Sequence, residues 1–203
     1  MRIVTANELQ HWLNGGQVLE KDARGPKVVH LEDGRFLKIF RSKRPLLARW
    51  RPEAQRFARN AKALNRLGIA TPELLECAWL DPAQGVSVCL YQPLAGASLE
   101  KLYNQERALF DVLVPDLAAY IRHLHQNGIY FRSLHLGNLL LLPEGGFGLI
   151  DFLDLRIKRA PLSRALVQRN FQHLQGYLQR RKTQGFPWEE LMQCYERASK
   201  ASN

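Results

Sequence analysis

The chain has 203 residues, 46% hydrophobic and 24% charged, and a net charge of +10. That composition excludes wholesale disorder, and the length allows one compact domain or two small lobes around a cleft. Three cysteines, Cys77, Cys89 and Cys194, exclude a disulfide framework and a CxxC metal pair, and they suit a reducing compartment.

The first residues lack the apolar core of a secretory signal. The longest uninterrupted aliphatic stretch is residues 139–142, far short of the ~20 apolar residues of a membrane span. A cytoplasmic protein is expected. Thr5 and Glu8 have capping-box spacing, so a short helix should open near residue 6 and end at Gly15 and Gly16. Residues 17–21 read as a strand. The alternating runs 27–32 and 35–40 flank Asp33 and Gly34, a hairpin signal. Pro52 fits the first turn of a helix on which Phe57, Ala61, Leu64 and Leu67 recur at helical spacing before Gly68. Strands over 74–80 and 86–91 follow, and Pro93 and Gly96 mark a break.

The composition then turns helical. A short helix is expected over 98–104 and a longer one over 109–126. Pro115 either breaks the second or sits in the first turn of its main part. Residues 139–142 and 147–152 read as a β-hairpin. Two helices close the chain. Val167, Phe171, Leu174 and Leu178 share a face of the first. The second starts at Pro187, with Glu189 and Glu190 in its first turn. The expected class is α+β, with a β-rich part over 1–92 and a helical part over 93–203.

Charge is unevenly spread. Residues 35–66 hold eleven Lys/Arg and one acid, Glu53, and residues 155–187 hold eight Lys/Arg and no acid. Two basic surfaces on an otherwise acidic body suggest an anionic partner.

Three local signals carry chemistry. Lys38 lies inside an apolar strand, on the face opposite Leu37 and Ile39, where it meets either solvent or a cleft. A polar loop from Tyr130 to Asn138, with Asn138 five residues beyond Ser133, separates a helix from a hairpin and suits a metal–phosphate. Asp151 ends the second hairpin strand, where Mg²⁺ binding is natural, although a turn or cap aspartate would look the same.

In this order the three resemble the protein-kinase-like fold, with its two lobes forming one kinase-like domain. The resemblance implies that Lys38 grips the α- and β-phosphates of ATP, and that Asn138 and Asp151 hold Mg²⁺. The segment from Leu134 to Asn138 looks like the end of the catalytic loop of small-molecule kinases. The run from Asp151 to Arg164, then Arg169 to Leu174, resembles the tail of the lipopolysaccharide-core (Kdo and heptose) kinases, nearest the short bacterial toluene-tolerance-type proteins. It implies a sugar or glycolipid acceptor at the cytoplasmic face of the inner membrane, with residues 41–66 and 155–182 meeting phosphorylated glycolipid or anionic lipid.

The departures are specific. The family's catalytic aspartate slot holds Ser133, its histidine slot Phe131, and the third position of the Asp-Phe-Gly motif Leu153. The slot of the helix glutamate that pairs with the lysine holds Asn60, and no glycine-rich loop is recognisable around Gly25. Serine is no general base unaided, so Asp154 and His135 are the substitutes. His135 also reads as a structural loop histidine, and Asp154 as a partner for Arg132 or Arg156. Only 52 residues follow Asp151, too few for a peptide-binding lobe, so a protein substrate is not expected.

Two readings compete: an ATP-dependent sugar kinase, and a pseudokinase that binds nucleotide or scaffolds envelope assembly without turnover. A nucleic-acid role is not expected, because no basic motif is interleaved with aromatics.

Overall fold

The computed structural model describes residues 1–200. The chain divides into two compact units, Met1–Leu94 and Ala95–Asn203.

Unit 1 is built on a five-stranded antiparallel sheet. Its strands are β1 (Gln17–Asp22), β2 (Gly25–His30), β3 (Phe36–Arg41), β4 (Glu73–Asp81) and β5 (Val86–Gln92), in the order β1-β2-β3-β5-β4. Its helices are α1 (Ala6–Leu13), α2 (Pro45–Ala48) and α3 (Glu53–Arg66). Thr5 caps α1 by accepting from the Glu8 amide at 3.2 Å. The carboxylate of Glu8 turns away to Arg2, so half of the expected capping box forms. Leu9, Trp12 and Leu13 of α1 pack on one sheet face against a core that includes Val29, Leu37, Ile39, Val88 and Leu90.

The other sheet face takes α3. Ala54, Phe57, Ala61 and Leu64 are its buried residues, at the three- and four-residue spacing of one helical stripe. Phe57 sits 5.6 Å from Phe40 and 6.3 Å from Tyr91 between ring centroids. Burying that ring stabilises the unit by about 2–3 kcal/mol. Pro52 is the N-cap of α3 and the helix begins one residue later. The edge strand β1 is exposed throughout, and its Glu20, Lys21 and Asp22 discourage pairing with another chain.

Unit 2 carries α4 (Leu99–Gln105), α5 (Arg107–Val112), α6 (Val114–Gln126), α7 (Arg164–Arg180) and α8 (Trp188–Lys200). Pro115 lies in the first turn of α6, and the expected long helix is two helices. Strands β6 (Ala97–Ser98), β8 (Leu139–Leu141) and β9 (Phe147–Leu149) form one small sheet, and β7 (Ile129–Tyr130) pairs with β10 (Arg156–Ile157). The hairpin β8–β9 is shorter than its hydrophobic run, because Ile150 to Phe152 leave the ladder.

Gly128 joins α6 to β7 at φ +70°, and a Cβ there would fall 2.6 Å from the carbonyl oxygens of Lys158 and Ala160. Both obstacles are backbone, so they cannot rotate aside. Gly128→Ala is expected to cost about 2 kcal/mol or more. A lowered urea midpoint with an unchanged slope would show it.

Candidate active site

The loop after β7 alternates anchors and outward groups. Phe131, Leu134 and Leu136 are buried, while Ser133, His135 and Gly137 are half-buried. Apolar residues at every second or third position pin the backbone, so the polar side chains between them hold fixed positions.

Asn138 closes this loop and is 7% exposed. Its Nδ2 donates to the Ser133 carbonyl at 3.0 Å and lies 3.1 Å from His135 Nε2. A carbonyl can only accept, so the amide nitrogen must face Ser133. His135 Nε2 then accepts the second N–H, which places the His135 proton on Nδ1. That Nδ1 is buried without a partner. The His135 ring stacks on Tyr177 with centroids 4.3 Å apart and planes 7° apart. Burial holds the His135 pKa below its ordinary value, with the carboxylates of Glu100, Asp151 and Asp154 pulling the other way. The ring is therefore neutral near pH 7, as an accepting Nε2 requires.

The hairpin sets the next residue. Leu139 pairs with Leu149, and the Ile150 amide donates to the Asn138 carbonyl at 3.1 Å. Asp151 follows at once, exposed, with φ +50°. It is one of two non-glycine residues of the described chain in the left-handed region, an uncommon conformation that aspartate tolerates better than most side chains. The kink ends the ladder and leads into a turn closed by the Leu155 amide on the Phe152 carbonyl at 3.2 Å. Phe152 and Leu155 anchor this turn in the core.

Asp154 lies within the turn. Ser133 Oγ donates to Asp154 Oδ2 at 2.8 Å, and Asp154 Oδ1 is buried without a partner. The expected alternative, an ion pair with Arg132 or Arg156, is not what holds this carboxylate. Two substitute residues weighed from the sequence thus have separate surroundings: Asp154 touches Ser133, and His135 touches Asn138.

Sequence reading missed the support beneath the loop. Glu100 of α4 pairs with Arg181 at 3.3 Å, and Arg181 stands 5.7 Å from the Tyr177 ring centroid. A Cβ on Gly137 would sit 3.1 Å from Glu100 Oε2 and 3.3 Å from His135 Nδ1, so glycine lets these groups approach. Burial and the nearby Glu100 push the Tyr177 hydroxyl up to about 12. The stacking partner of His135 is 42 residues away in the chain, and no local pattern announces it.

In unit 1, Lys38 pairs in register with Val28 and Cys89. Leu37 and Ile39 enter the core on the α1 side, and Lys38 lies on the α3 side with Nζ 5.7 Å from the Phe57 ring centroid. Its face is covered by α3 rather than open as at a free sheet edge. Asn60 is half-buried on α3. Glu53 opens α3 in a pocket it shares with Arg41, Arg44, Arg51 and Arg56. Cys77 and Cys89 oppose each other across β4 and β5 with Sγ atoms 3.0 Å apart, both as free thiols. The neighbouring Cys77 thiol and burial push the Cys89 thiol up.

A five-stranded antiparallel sheet with a helix against its lysine-bearing strand, followed by a helical unit with a loop and hairpin presenting Asn138 and Asp151, makes a small kinase-like α+β fold. The match is to the Lipopolysaccharide kinase (Kdo/WaaP) family, whose model covers residues 29–195. The chain belongs to that family. Lys38, Ser133, His135, Asn138, Asp151 and Asp154 all fall inside the matched stretch. No curated protein matches the chain.

Proposed function

We propose that the protein is an ATP-dependent phosphotransferase whose acceptor is a sugar hydroxyl of lipopolysaccharide core or a related envelope glycolipid. Family membership supports the kinase class. The observation that carries the reading is the 2.8 Å contact between Ser133 and Asp154. It supports the reading because it gives Ser133, read as standing in the slot of the kinase aspartate, a carboxylate neighbour.

Asp151 and the Oδ1 of Asn138 are the groups for Mg²⁺. The fit is chemical: both Asn138 N–H groups are engaged inside the loop, and Oδ1 takes part in neither contact. No cluster of three or more His, Cys, Asp or Glu stands ready for a metal among the described residues. Mg²⁺ commonly takes one or two protein oxygens and fills its shell with water and phosphate. It would supply charge neutralisation on the transferring phosphoryl group. His135 acts as a positioning residue that keeps the Asn138 amide in this orientation. Lys38 supplies a fixed cation for the nucleotide phosphates.

The acceptor oxygen forms its bond to the γ-phosphorus as the bond from that phosphorus to the bridging oxygen breaks, and the electron pair leaves with the nucleoside diphosphate. The acceptor proton passes to Ser133 Oγ while the serine proton moves to Asp154 Oδ2. Asp154 later returns it to water. Most catalysis of such a transfer is positioning and charge neutralisation, so a relayed base suffices.

Calorimetry with Mg²⁺-ATP tests the reading. Binding is expected in the wild type and lost, by about tenfold or more, in Lys38→Ala and in Asp151→Ala. No wild-type binding would sink the kinase reading. Binding without transfer to core sugars would favour the pseudokinase.

A further inference from the structure

In unit 1, α2 and the turn after it leave Leu46, Leu47 and Trp50 at 80%, 58% and 86% exposure. Three large apolar side chains within five residues are bare, whereas scattered single ones are ordinary. The segment is nevertheless anchored. Ala48 is 3% exposed, and a Cβ on Gly85 would meet the Ala48 Cβ at 2.8 Å. The Ser42 amide donates to the Gly85 carbonyl at 3.4 Å, and the Arg44 amide to Ser42 Oγ at 3.1 Å. One side of α2 is thus held on the β4–β5 turn while Leu46 and Leu47 stay in solvent.

The apolar tip has cations on both sides of it along the chain. Lys43, Arg44, Arg49 and Arg51 flank it within the same ten residues. Beside it lies a pocket of about 410 Å³ whose lining includes Arg41, Arg44, Arg51 and Arg56, with Glu53 its one acid.

We infer that this face docks on a bilayer surface rich in anionic phospholipid, with Leu46, Leu47 and Trp50 entering the headgroup–acyl boundary and the cations meeting headgroup phosphates. The combination decides the partner. Tryptophan is favoured at that boundary because one part of its ring system is apolar and its N–H is polar. Cations near an anionic leaflet gain from its surface potential. A polynucleotide would use the cations and could stack on Trp50, but it offers Leu46 and Leu47 nothing. A second copy of a chain with net charge +10 would repel. The inference goes beyond the phosphotransferase reading and does not depend on it.

Full-length protein is sedimented with vesicles of phosphatidylcholine alone and of phosphatidylcholine mixed equally with phosphatidylglycerol. Binding is expected to the mixed vesicles, to weaken as salt rises, and to survive excess glycerol phosphate. Trp50 emission should shift to the blue on binding, a change absent in Trp50→Phe. Leu47→Ser with Trp50→Ser is expected to lower binding about tenfold or more. Lys43→Gln with Arg44→Gln and Arg49→Gln should remove the preference for anionic vesicles. All these side chains are exposed, and circular dichroism checks that the variants fold. Absence of vesicle binding overturns the proposal. So does binding that Leu47→Ser with Trp50→Ser leaves unchanged, or RNA binding that competes fully with vesicles and ignores that variant.

Discussion

Replacing Asp154 by asparagine is expected to lower kcat for phosphate transfer by about 10²–10⁴-fold, with Mg²⁺-nucleotide affinity nearly unchanged. An asparagine oxygen can still accept from Ser133 Oγ, which donates to Asp154 Oδ2 at 2.8 Å in the native protein. The substitution therefore keeps the contact and removes the basicity. The loss corresponds to about 3–5 kcal/mol of transition-state stabilisation. Ser133→Ala leaves the carboxylate in place and should cost less. Ser133→Asp would set two carboxylates against each other, and one would take up a proton. Steady-state kinetics on a core-sugar acceptor, with calorimetry for the nucleotide, checks the split. An unchanged kcat in Asp154→Asn would remove the proton-acceptor role.

The second large effect is on stability. Asn170 of α7 is 1% exposed and His125 of α6 is 3% exposed. Asn170 Nδ2 donates to the Phe131 carbonyl at 2.6 Å, so its Oδ1 accepts from His125 Nε2 at 3.0 Å. His125 Nδ1 then accepts from the Tyr195 hydroxyl at 2.8 Å. The three bonds run in one consistent direction, and they tie α6, α7 and α8 to the start of the loop after β7. Asn170→Ala strands the Phe131 carbonyl and the His125 N–H inside the core. Each stranded group costs about 1–3 kcal/mol, so a loss of about 3 kcal/mol is expected.

The same histidine makes stability depend on pH. Burial lowers the His125 pKa to about 4, with Arg122 acting in the same direction and the Asn170 bond opposing. The unfolded chain binds this proton near pH 6.5 and the folded protein near pH 4. Between those values the unfolded state holds more protons, so stability rises with pH. The contribution is complete above pH 6.5 and is lost as pH falls to 4, by about 3 kcal/mol. Urea unfolding across that range should show the slope. His125→Gln, which cannot titrate, should remove it, and an unaltered slope would assign the effect to other groups.

Much of the fold was legible because its causes are local. Thr5 accepts the backbone N–H of Glu8, three residues on, as its capping-box spacing leads one to expect. The alternation of Leu37, Lys38 and Ile39 placed the lysine on its own sheet face. Pro115 had two readings, and the chain takes the one in which its missing N–H costs nothing. Elements too short to show a period were not legible. The four-residue α2 and the two-residue strands β6, β7 and β10 exist because neighbours complete them.

For the candidate site, residue types in order are what point to Lys38, Asn138 and Asp151, and to Ser133 as a break in the family pattern. Which substitute goes with Ser133 was not decidable from spacing. Asp154 lies three residues past Asp151 and His135 two past Ser133, and only packing gives them separate surroundings. Leu134 and Leu136 turn His135 down onto Tyr177, while Phe152 and Leu155 turn Asp154 up onto Ser133. The opposed thiols of Cys77 and Cys89 have the same origin, in the register of β4 against β5.

Interactions that span a few residues are written in the sequence, because backbone geometry alone brings their partners together. Ser133 meets Asp154 from 21 residues away, and His125 meets Tyr195 from 70. Those meetings depend on how helices and turns bury their apolar faces, and the tertiary structure alone decided them.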